Sequence, residues 1–171
     1  MTAPPLSRRY TTSLDYEAAL ALEHDAAVRG VDVADHITSI LEEYCLKRLL
    51  EDGSPARERL RAASMIKAAT AEISRRIVRE NGVQPDHTLQ VFRELRLQHT
   101  AVYLRATACE TGFEAGKPLK HSLNLVLGAI SKRAAGAKVR MLPNGQPEKI
   151  RNIRGEFCSS VTVLEPGNEG K

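Results

Sequence analysis

The chain has 171 residues, 42% of them hydrophobic and 27% charged, which suits one folded domain or two small ones. No apolar run reaches the roughly 18–20 residues a membrane helix needs, and only 4% of residues are aromatic, none of them Trp, so a core must come from Leu, Ile, Val and Ala. The net charge of +4 conceals an imbalance: residues 1–54 hold 5 basic and 10 acidic residues, whereas 55–171 hold 20 and 11.

Residues 1–6 read as a disordered, Pro-containing tail without the apolar core of a signal peptide, so a cytoplasmic location is expected. SRRYTTSL, residues 7–14, is Thr-rich and reads as a short strand. Asp15 offers an N-cap to a helix over 16–29, with Ala18, Ala19, Leu22 and Ala26 on one face and Gly30 as its stop. Asp32 caps a second helix that carries Ile37, Ile40, Leu41, Tyr44 and Leu46 and runs to about residue 51. Gly53-Ser54-Pro55 marks a linker between a first domain, 7–52, and a second, 56–165.

The second domain reads as mainly helical. Ile66, Ile73 and Ile77 line a helix over about 56–80, and Leu89, Phe92, Leu95, Val102 and Tyr103 line one that starts at Pro85-Asp86. A third, from about 118 to 135, carries Leu119, Leu123, Leu127 and Ile130. A β element follows at about 138–164: KVRML and EKIRNI flank PNGQP as a hairpin would, and CSSVTVL supplies a third strand. Residues 166–171 read as a loose tail.

A strand and two helices in about 45 residues cannot bury their own apolar side. Two copies can, by pairing their strands antiparallel and interlocking their helices, and a two-stranded ribbon fits the DNA major groove. Leu14 at the strand end, Gly30 between helices, Asp32 two residues on, then Ile37, Leu41 and Tyr44, are spaced as in the ribbon-helix-helix family of Arc- and MetJ-like repressors, which residues 7–50 resemble. The resemblance implies an intertwined homodimer on double-stranded DNA, with higher oligomers as an extension, and a core of Tyr10, Thr12, Leu14, Leu22, Ile37, Ile40, Leu41 and Tyr44. It places Arg9, Thr11 and Ser13 on base edges. Arg8, and the backbone N–H groups at Val33 and Ala34, are placed on phosphate. The implied task is that of a transcriptional repressor. Relaxosome or plasmid-partition accessory proteins share the fold. So do antitoxins, which would make the chain a protein-interaction module, with a protein partner through the C-terminal domain as a further expectation.

The stretch 117–154 holds nine basic residues and one acid. Lys132, Arg133, Lys138, Arg140, Lys149, Arg151 and Arg154 thus form a candidate second basic surface, whose plainer reading is a solvated face and a charge-protected strand edge. His24, His36, His87, His99 and His121 show no i, i+4 pair and no Cys/His cluster, and Cys45, Cys109 and Cys158 are far apart. No metal, cofactor or catalytic site is therefore expected; phosphate-binding loops and nucleophile elbows are missing as well.

Overall fold

The computed structural model describes residues 11–29, 31–109 and 113–167, the stretch 113–118 by its backbone alone. Five α-helices and two short antiparallel strand pairs lie among the described residues, and the strands are all at the C-terminal end. The chain divides into two units, residues 1–60 and 61–171.

The expected N-terminal strand is not formed in its described half: Thr11–Leu14 is exposed and neither strand nor helix. The reason is elementary, since a strand is stable only when its N–H and C=O groups find a ladder, and the described residues of this unit offer none. Thr12 and Leu14, expected in a core, are solvent-facing in the single chain.

Helix α1 (Tyr16–Val28) starts where expected, with the Asp15 carboxylate accepting from Glu17 N–H at 2.9 Å. Asp32 does the same for α2 (Val33–Tyr44), accepting from Ala34 N–H at 2.9 Å and Asp35 N–H at 3.4 Å. The two helices are pinned by His36, whose Nε2 lies 2.8 Å from Asp25 Oδ2; Arg29 Nε approaches the same oxygen at 2.9 Å. The Arg29 hydrogen bond holds the Asp25 carboxyl below its usual range, with His36 adding to it. Helix α2 does not continue to residue 51: it passes into a π-helical turn, Cys45–Leu49, closed by Leu50 N–H on Cys45 O at 3.0 Å, and Leu50 is extended. The Gly53-Ser54-Pro55 segment is a built turn. Pro55 opens α3 (Pro55–Asn81), Ser54 Oγ accepts from Arg57 N–H, and Arg57 Nη1 reaches back to Leu50 O (2.7 Å) and Asp52 (2.9 Å).

In the second unit the apolar stripes fall where their spacing puts them. Ile66, Ile73 and Ile77 of α3, and Leu89, Phe92, Leu95 and Tyr103 of α4 (His87–Ala106), are buried, as are Leu123 and Leu127 of α5 (Phe113–Ala134). Helix α5 begins before Pro118, and α4 departs from helical angles at His99. Two core threonines return their hydroxyl protons to the preceding turn: Thr70 to Ile66 O and Thr107 to Tyr103 O.

The predicted hairpin exists only at its tip. Met141 bridges Pro147 and Glu148 N–H donates to Arg140 O, but below that point the two arms part. The last strand enters between them: β3 (Ser160–Thr162) pairs with β2 (Lys149–Arg151), and β4 (Leu164–Pro166) pairs with β1 (Ala137–Val139), both antiparallel. Val163 sits at the crossover, donating to Glu148 O and accepting from Arg140 N–H. This order gives Val161, Val163 and Leu164 a buried position that a two-stranded hairpin could not supply. Pro166 belongs to the sheet rather than to a tail. Gly167 N–H reaches Gly136 O, an approach that a Cβ at Gly167 would obstruct.

Candidate functional site

Of the predicted DNA-contact residues, Arg8 and Arg9 lie outside the described residues, as does Tyr10 of the predicted core. Thr11 and Ser13 are exposed. Ala34 is not a phosphate donor in this state, because its N–H already serves the Asp32 carboxylate; an anion at Val33 and Ala34 would meet that carboxylate as well. Leu22 and Ile37 are half-buried, while Ile40, Leu41 and Tyr44 are 43%, 58% and 55% exposed.

The predicted second basic surface is split by its partners. Arg140 is bound in bidentate fashion by Glu148, at 2.6 and 3.0 Å, so each holds the other charged: the arginine is pushed further up and the glutamate is held low. Lys138 faces solvent opposite Glu165, and Arg151 and Arg154 are exposed. Lys132 and Lys149 go elsewhere: they line a cleft of about 640 Å³ in the second unit, together with Lys120 and His121.

Four elements build that cleft. Helix α4 contributes Thr88 and Phe92, α5 contributes one wall from Lys120 to Lys132, and Val139, Lys149 and Val161 come from the strands. The segment from Ile153 to Ser159 closes it and is held by a fixed clamp. Asn124 Nδ2 donates to Phe157 O at 2.8 Å, Tyr103 OH donates to Asn124 Oδ1 at 2.7 Å, and the Phe157 ring stacks on Tyr103 with centroids 3.7 Å apart. Burial pushes the Tyr103 phenol far above its usual range, so it remains a donor. The one acid on the lining, Glu156, is engaged by Arg96 at 3.0 Å and Arg93 at 3.9 Å. No ion pair engages Lys132 or Lys149 among the described residues. The Cys158 thiol, pushed up to about 11 by burial, is protonated and inert at neutral pH.

Sequence reasoning missed a buried polar pin. Ser74 Oγ donates to Ser131 O at 2.8 Å and therefore accepts from His87 Nε2 at 2.7 Å, tying α3, α4 and α5 together. All three side chains are fully buried. A serine beside a histidine suggests a nucleophile and its base, but this hydroxyl spends its proton on a carbonyl and no substrate could reach it. The available signal was Thr70 and Ser74 falling on the same helical face as Ile66, Ile73 and Ile77. Among the described residues, no group of three or more His, Cys, Asp or Glu could hold a metal ion, and no helix is long and apolar enough to cross a membrane. No protein-family model, no curated protein and no solved structure matches this chain.

Proposed function

We propose that the chain is a homodimeric DNA-binding protein of the ribbon-helix-helix type, acting by occupying its site and carrying out no covalent chemistry. One observation carries the reading. In the first unit only Ala26 and His36 are buried among the described residues, while Leu14, Leu20, Ile40, Leu41 and Tyr44 stand exposed. Two capped helices with so little core need more apolar burial than one copy provides. A second copy supplies it, and it also supplies a ladder for the strand expected at residues 7–14, whose described part, 11–14, has none. The paired strands then present Arg9, Thr11 and Ser13 to base edges, with Arg8 on phosphate. The helix start is not part of the interface while Asp32 occupies Ala34 N–H.

The test is light scattering and fluorescence anisotropy on the full chain, with the DNA upstream of its own gene and with sites selected from a random pool. Leu41→Asp is expected to halve the mass and abolish binding. Arg9→Ala with Thr11→Ala should leave the dimer intact and weaken the selected site by about 1–3 kcal/mol for each base no longer read. Unchanged affinity in that double variant would remove the ribbon from the interface. A single selected site favours a repressor; an array of repeats favours a relaxosome or partition role.

A second reading has an observation of its own. Residues 1–54 carry 5 basic and 10 acidic residues, which suits a protein-interaction module with a basic partner, in the manner of an antitoxin or anti-activator. Stoichiometric recovery of one protein partner, with no salt-dependent DNA binding, would establish it instead.

A further inference from the structure

We propose that the cleft of the second unit is a binding site for a small organic anion: an apolar body of metabolite size bearing a carboxylate, sulfonate or phosphate group. This goes beyond DNA binding and does not depend on it, since every lining residue lies within 61–171.

Three independent features point the same way. The first is size and surface: about 640 Å³, floored by Phe92, Phe157 and Val161, lies within the range of small-molecule sites, which are mostly apolar with a few placed polar groups. The second is charge. Lys132 and Lys149 line the cleft from α5 and β2, and the single acid on the lining is already bound by two arginines. Two ammonium groups on one cleft repel each other, and an anion between them relieves that repulsion. The third is Gly128. It sits inside α5, where glycine is a poor helix former, and it lines the cleft; a Cβ there would meet nothing within 4 Å. Nothing within the described chain requires a glycine at that position. A ligand lying against the helix does, because it needs the backbone bare.

The probe is anilinonaphthalene sulfonate, an aromatic anion, titrated by fluorescence into the full-length protein, with inorganic phosphate and a short random DNA duplex as competitors. One saturable site per chain is expected. Gly128→Leu should remove it, because the new side chain fills the cleft while improving helix propensity; its urea midpoint, unchanged or raised, shows that the fold survives. Lys132→Gln with Lys149→Gln should weaken the dye by about tenfold, as the sulfonate gives up two charge-assisted hydrogen bonds. Inorganic phosphate should compete only weakly, lacking an apolar body. No saturable binding, or binding that survives Gly128→Leu, overturns the assignment. Displacement by the DNA duplex overturns it too, giving Lys132 and Lys149 to nucleic acid. None of these readouts uses operator binding, so failure here leaves the reading of the first unit untouched.

Discussion

His87 shows how one side chain can be both a fastener and a weakness. Its Nε2–H is committed to Ser74, which fixes the tautomer and leaves Nδ1 as a bare acceptor, buried and without a partner among the described residues. Protonating Nδ1 would place a charge in the core, and burial accordingly lowers the His87 pKa below 6.5, against a smaller opposing effect of Asp86. The unfolded chain, with an ordinary imidazole, then binds the proton first. The contribution of neutral His87 is complete above about pH 6.5 and is lost as pH falls toward the folded-state pKa. Urea midpoints between about pH 5 and 8 should fall on the acid side, and the His87 ring resonance should titrate with a midpoint below 6.5; a midpoint at or above 6.5 would contradict the geometry. Ser74→Ala leaves Nε2–H unsatisfied in the core and should cost about 1–3 kcal/mol in the same assay.

At the scale of elements, the last strand is the keystone of the second unit. Leu164 is 1% exposed, and its N–H reaches Pro85 O just ahead of α4, while Val163 bonds to both arms of the opened hairpin. Leu164→Ala should therefore cost about 2–5 kcal/mol by urea denaturation, and the Val163 amide should exchange only through global unfolding. Fast Val163 exchange would mean that the strand is a surface appendage. The same region marks the limit of what the sequence disclosed. The helices were legible because their signals are local: Asp15 and Asp32 cap within three residues, and Ile66, Ile73 and Ile77 or Leu89, Phe92 and Leu95 repeat at helical spacing. The hairpin tip was legible for the same reason, since its turn is written in adjacent residues. Its base was not, because Lys138 pairs with Glu165 and Ile150 with Val161, and no local pattern states such a register. The cleft was half legible. The basic tract announced charge, but only tertiary packing decides that Arg140 is spent on Glu148 while Lys132 and Lys149 line the same cleft as Phe92.

For the whole molecule the governing fact is the division of charge. Residues 1–54 carry twice as many acids as bases, 10 against 5, whereas 55–171 carry 20 bases and 11 acids. In the proposed DNA-binding dimer the acidic first unit would be repelled by phosphate, so non-specific affinity would be gained only if basic residues of the second unit reach the backbone. Within the predicted second basic surface, the candidates left exposed once the cleft and the ion pairs are accounted for are Lys138, Arg151 and Arg154. Each phosphate they neutralise adds about 0.9 to the slope of log affinity against log salt. Replacing all three by Gln in the full chain should then flatten that slope by about 0.9 for every phosphate no longer neutralised. It should also weaken specific and random duplexes alike, because phosphate recognition carries no sequence information. Arg9→Ala should do the opposite, eroding the preference for the selected site more than the affinity for random DNA. If the triple variant keeps the wild-type slope, this basic surface does not touch DNA, and the electrostatic support would have to come from exposed arginines of α3 such as Arg75 and Arg79. An unchanged slope after those two are also replaced by Gln would leave an acidic unit binding against its own charge and favour a basic protein partner instead.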